Sequence, residues 1–223
     1  MTIVTEKTVP IDRAEEPVPT WQAGSWETFL TLSQQPIYQK AKTYYFRGAY
    51  QFVMGVGANH AAINLIISLL VELYCIVRGI PFRGLTNASY RKAGLRECQP
   101  DSSFYFGDSV NASPTGREIA NLDNYSPPDL VIEIADSSLA DDLGMKRLLY
   151  EEMQVREYWV IDVQTMKIIA FQILDSLGSI RITESLVIEG LQLSFLEEAL
   201  SRSSELDNSQ LGAWFMEQIK ENN

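Results

Sequence analysis

Glu133 sits in the middle of an apolar run, Leu130-Val131-Ile132-Glu133-Ile134. A carboxylate in a buried strand loses its hydration, and without a partner it takes up a proton or destabilises the fold. Lys146 follows thirteen residues later, and Asp101 stands after Pro100 at the head of a second apolar run, Ser102–Phe106. A carboxylate that binds a divalent cation beside an ammonium is the equipment for phosphodiester hydrolysis. The metal polarises the phosphate and acidifies a water, and the lysine stabilises the developing charge. Mg²⁺ takes one or two protein carboxylates and keeps several waters, so a second acid is needed from another strand.

Two Pro-Asp dipeptides compete for that place, Pro100-Asp101 and Pro128-Asp129. Asp129 lies on the strand of Glu133, four residues earlier, which separates the two Cα atoms by ~13 Å. Both oxygens would have to come within ~2.1 Å of one Mg²⁺, so Asp129 is read as ordering the strand entry. Asp101 heads a separate strand able to pair beside 130–135 and is the better ligand, although a loop aspartate after a proline remains an open reading of it.

Ser138-Leu-Ala-Asp141 has the spacing of a capping box in its Asp form, which predicts one helix over 138–152. Leu139, Leu143, Lys146 and Tyr150 then share a face. Asp142 and Lys146 form an i,i+4 pair, worth only ~0.3–0.5 kcal/mol at a surface. The alternative couples Lys146 to Glu133 across a cleft. On that reading Lys146→Ala leaves the fold intact and abolishes activity.

The elements that must hold these residues are legible in outline. Residues 1–20 read as an extended arm, and a short helix capped by Ser25 covers 25–35. Residues 42–54 read as strand, Arg-Gly turn, strand. A glycine loop leads to a helix over Asn59–Arg78 closed by Gly79. Further strands alternate with helices, and "SFLEEALSRS" and "QLGAWFMEQIK" close the chain. This is an α/β (α+β) pattern with a mixed central sheet flanked by helices. It divides into an arm with a short helix (1–40), a core (41–200) and a C-terminal helix (201–223).

Composition narrows the classes. Forty-six per cent hydrophobic residues in 223 suit one domain, and Cys75 and Cys98 read as free buried thiols in a reducing cytoplasm. The apolar stretch 61–77 is broken by Asn64, Ser68 and Glu72, which favours a core helix over a membrane span. A net charge of −11 argues against a broad electrostatic grip on nucleic acid, although it leaves room for a local basic patch. A homodimer is expected for a nuclease cutting both strands, with Trp214, Phe215 and Met216 as interface candidates.

The strings "QPDSSFYF" and "PPDLVIEIADSSLADDLGMKRLLYEEMQVREYWVIDVQ" resemble the Uma-two-type family of restriction endonucleases, assigned to the PD-(D/E)XK nuclease superfamily. The resemblance covers roughly residues 40–200. It implies a restriction-endonuclease-like core and a metal-dependent endonuclease acting on nucleic acid, DNA before RNA. Asp101 and Glu133 would hold Mg²⁺ or Mn²⁺, Lys146 would act as electrostatic catalyst, and Tyr150 would buttress the lysine. The superfamily's usual lysine position, two after the acid, is Ala135 here, so the lysine has moved to the helix. The resemblance also makes His60 an active-site neighbour, where a lone histidine otherwise reads as packing or capping. One departure matters. Many relatives carry a glutamate on the strand before the long helix, but Ala49, Gln51 and Val53 offer no acid here. That opens the alternative of a degenerate nuclease fold that binds without cutting, and makes Val53→Glu the first choice for restoring a ligand.

Overall fold

The computed structural model describes residues 20–221, so the expected arm lies outside them apart from its last residue. Twelve strands form two sheets among the described residues. They are β1 (Gln22–Ala23), β2 (Lys42–Phe46), β3 (Ala49–Val53), β4 (Phe82–Thr86), β5 (Tyr90–Lys92), β6 (Arg96–Cys98), β7 (Ser102–Phe106), β8 (Ala120–Asn121), β9 (Leu130–Ala135), β10 (Glu157–Asp162), β11 (Lys167–Ile173) and β12 (Ser179–Ile182). The larger sheet runs β12-β11-β10-β9-β7-β4 and the smaller β1-β3-β2-β6-β5-β8. In the larger sheet β9 and β10 are parallel and the other neighbours antiparallel. A parallel pair needs a long crossover, and here it carries the helical segment 139–153. The result is a mixed α/β fold with central sheets flanked by helices, as the sequence pattern requires.

Alternation along β9 sends its side chains to two different cores. Leu130, Ile132 and Ile134 face one side with Trp159 and Ile161, under α2 (Ala58–Arg78) and two helices near the C-terminus, Leu193–Arg202 and Asn208–Glu221. Val131 and Ala135 face the other, with Tyr44 and Phe46 from β2, Tyr90 from β5, and Tyr150. Glu133 has the phase of Val131 and Ala135, so its carboxyl enters this second core. Outside the smaller sheet, α1 (Trp26–Ser33) packs Phe29 on Tyr45 and Tyr50, with Ser25 accepting the Thr28 N–H at its start.

The β2–β3 hairpin turns through Arg47 and Gly48, both at positive φ (49° and 76°). Its register places Lys42 opposite Val53 and Tyr44 opposite Gln51. The long helix α2 ends at Gly79 in the left-handed region, its N–H returning to the carbonyls of Cys75 and Ile76. By length and composition α2 could cross a membrane, but Ile63, Ile67, Leu70 and Tyr74 are buried in the core. The breaks noticed in its apolar run form a polar stripe at i, i+4, i+8. On that stripe Asn64 and Ser68 hydrogen-bond to Ser102 at 2.8 and 2.9 Å. The stripe seats α2 against the start of β7.

Two expectations are corrected. The helix 138–152 is not continuous. A single turn at Leu139–Asp141 passes into a widened π-type turn, Asp142–Lys146, before the regular helix Arg147–Met153. The break falls at Gly144, whose φ of −101° and ψ of −106° are not helical. Ser138 gives its hydroxyl to Asp142 Oδ2 (2.5 Å) and makes no side-chain bond to the backbone as a cap. Phe215, an interface candidate, is fully buried in the α2 core, and Trp214 packs against that core under the Arg202 guanidinium.

Leu70 is completely buried on α2. Leu70→Ala is expected to cost about 2–5 kcal/mol, read as a lower urea midpoint at unchanged slope. A loss below about 1 kcal/mol would mean that α2 is not packed as described.

Candidate functional site

Glu133 is held from three sides. Its Oε1 accepts the Tyr150 hydroxyl at 2.6 Å, and the Tyr44 hydroxyl lies 3.1 Å away while also donating to the Gln99 carbonyl. Its Oε2 lies 3.7 Å from the Lys146 ammonium. Tyr150 thus supports the acid rather than the lysine, contrary to the role expected for it. Lys146 donates to Asp142 Oδ1 at 2.7 Å and lies over the Tyr44 ring at 4.7 Å.

The two readings of Lys146 merge in this geometry. The i,i+4 pair with Asp142 exists, yet Lys146, Asp142 and Glu133 are all buried, so it is no surface bridge. Burial works against the ammonium, but the charges of Glu133 and Asp142 outweigh it and hold its pKa well up. Removing the lysine would leave the buried Asp142 carboxylate without its ammonium, at a cost of about 3–5 kcal/mol. The expectation that Lys146→Ala leaves the fold intact is revised accordingly.

Asp101 sits just before β7, beside β9. Its Oδ2 accepts the backbone N–H of Ile134 at 2.9 Å, the residue after Glu133. Its Oδ1 accepts from His60 Nε2 at 2.8 Å and from the Lys42 ammonium. Burial alone would raise this carboxyl. The His60 hydrogen bond and the Lys42 charge outweigh that and hold it well below the usual carboxylate range. Asp129, set aside as a ligand, accepts the Phe106 N–H at 2.8 Å and orders the entry of β9.

These groups line one cavity of about 620 Å³. Lys42, Tyr44, Gln51 and Val53 of the β2–β3 hairpin line it together with the 54–57 loop and with His60, Asp101, Glu133 and Lys146. The structure therefore brings Asp101, Glu133, Lys146 and His60 to one pocket, with Asp142 bonded to Lys146 and Tyr150 to Glu133. Lys42 and Tyr44 were not singled out in the sequence. The available signal was the alternation Lys42-Tyr44-Phe46 along β2, which puts the lysine on the buried face.

Among the described residues no group of three or more His, Cys, Asp or Glu is placed to hold a metal ion. Asp101 offers no oxygen without a protein donor. Burial pushes Glu133 up to about 8, against the pull of the Lys146 charge. As it stands, Asp101 Oδ1 is closed to a divalent cation unless Lys42 withdraws.

Because burial raises Glu133 from its ordinary 4.5 to about 8, the folded protein holds a proton that the unfolded chain releases across that interval. Stability from this group is full below about pH 4.5 and is lost as pH rises through about 8. Glu133→Gln should flatten the fall in unfolding free energy over that window. An unchanged slope in denaturant titrations at several pH values would show that Glu133 is ionised throughout.

Residues 26–199 match the family described as "Uma2: Putative restriction endonuclease". A crystal structure of "a putative nuclease belonging to DUF820" from Anabaena variabilis is similar, with a TM-score of 0.48 and 18% identity over 86% of this chain and 98% of that one. No curated protein matches the chain.

Proposed function

The chain belongs to the Uma2 family, and from that premise we propose that it is a nuclease-fold protein that binds a phosphodiester strand in its pocket without hydrolysing it. The crowding of Asp101 Oδ1 carries this reading. Lys42 and His60 both stand on that oxygen, and the Ile134 N–H holds one lone pair of Oδ2. The wall opposite Lys42 offers Val53 in place of a further acid. The Gly57 end of α2, at the cavity, has no side-chain cap and favours an anion, but Asp101, Glu133, Asp136 and Asp141 line the same cavity on a chain of net charge −11, which keeps any grip on a phosphodiester strand weak. Weak, salt-sensitive binding of nucleic acid follows.

A second reading is a metal-dependent endonuclease, with Mg²⁺ or Mn²⁺ on Asp101 and Glu133. The observation favouring it is that Asp101, Glu133 and Lys146 line one cavity of a nuclease-family protein. Under that reading a homodimer would place two such sites on the two strands of a duplex.

Two measurements separate them. Supercoiled plasmid incubated with Mg²⁺ or Mn²⁺ should be nicked no faster by the wild type than by Glu133→Gln, and faster nicking by the wild type would establish the second reading. Labelled oligonucleotides should bind at low salt by fluorescence anisotropy. Gly57 is the N-cap of α2 with ordinary dihedrals, and an added Cβ there meets only Asp136 Oδ2 at 4.0 Å. Gly57→Asp should therefore fold, since Asp is a favoured N-cap, yet weaken binding about tenfold by placing an anion at the rim. Binding unaffected by that substitution would put the nucleic acid elsewhere.

A further inference from the structure

Lys42 is a pocket residue that no part of the hydrolytic scheme requires. It begins β2, and its ammonium reaches Asp101, fifty-nine residues away in the chain. Its side chain is mostly shielded from solvent, and the carboxylate it meets is almost wholly buried. Such a pair is not a surface bridge of small worth, because little water competes for either charge.

The hairpin register explains why the ammonium goes there. Lys42 and Val53 are directly opposed across β2 and β3, so both side chains leave the same face, and both line the cavity. Directly opposed residues interact across a strand pair, but Val53 offers the ammonium nothing. Gln51, two positions along the same face, stands opposite Tyr44 and hydrogen-bonds to Asp141. The acceptor that takes Lys42 is Asp101 Oδ1, which it shares with His60.

We propose that the Lys42 ammonium is the resident cation of this pocket, occupying at Asp101 the place that a divalent ion would need and so setting the pocket's low affinity for metal. This rests on the reading of the pocket as a non-cleaving site. The ammonium carries one positive charge on a fixed tether and needs no metal supply. A divalent cation can take Oδ1 only by displacing the ammonium from it, and the displaced ammonium finds no carboxylate on its own hairpin wall. Position 53 is therefore the partner position. An acid there would draw Lys42 across the hairpin, release Oδ1, and add an oxygen at the cavity wall.

The test is direct Mn²⁺ binding, measured by calorimetry and by the loss of the free-ion electron paramagnetic resonance signal, without any substrate. Wild type should bind weakly. Lys42→Ala should bind at least about tenfold more tightly, because a competing charge on the same oxygen is gone. Asp101→Asn in the Lys42→Ala background should cancel the gain. Val53→Glu, which keeps the lysine, should raise affinity in the same direction and serves if Lys42→Ala does not fold. Unchanged Mn²⁺ affinity in folded Lys42→Ala and Val53→Glu proteins overturns the proposal, as does a gain that survives Asp101→Asn. Plasmid cleavage by the wild type would overturn the non-cleaving reading without altering these affinities, so the two failures are separable.

Discussion

A carboxylate enclosed between two sheets must be given donors, and the interior of this protein is arranged around that requirement. Glu133 cannot leave β9 without turning Val131 and Ala135 out of the same core. Tyr44 from the smaller sheet and Tyr150 from the crossover helix reach its Oε1, and Lys146 approaches Oε2. Lys146 in turn requires Asp142, which takes the hydroxyl of Ser138. The smaller sheet, the crossover and the central strand are thereby fixed to one another through polar contacts inside an apolar layer. Such networks are costly when half satisfied, which ties the Gly144 break to the site. The break lies between Asp142 and the regular helix that carries Tyr150, within the turn from which Lys146 reaches both acids.

The same rule governs Asp101, with different donors. They are a lysine, a histidine and a backbone N–H. The site thus has two halves on one cavity, one built on Glu133 and Lys146 and one on Asp101, Lys42 and His60. Asp101 is itself buried, and the solvent-reaching groups of its half are Lys42 and His60.

Much of this could be read from the residues because it is local. Gly79 closes α2, Arg47-Gly48 turns the hairpin, and the near-continuous apolar run 130–135 marks a strand buried on both faces. The strand headed by Asp101 was legible as a separate apolar run able to pair beside 130–135. The rest depends on which surfaces meet, and periodicity does not carry that information. Lys42 looks like an ordinary charged residue at a strand start until β2 is placed over β9. Tyr150 has the phase to meet Lys146, but the unwound turn before it gives its hydroxyl to Glu133 instead. The stripe Asn64-Ser68 looks like a flaw in an apolar helix until Ser102 is set against it.

The claim that an ammonium holds the cation position at Asp101 is tested most directly by diffraction from crystals soaked in Mn²⁺, using the anomalous scattering of manganese. With Lys42 as resident cation, the map shows no manganese peak within bonding distance of Asp101 Oδ1, and continuous density joins that oxygen to the Lys42 side chain. A manganese peak shared by Asp101 and Glu133, with Lys42 turned away, contradicts it.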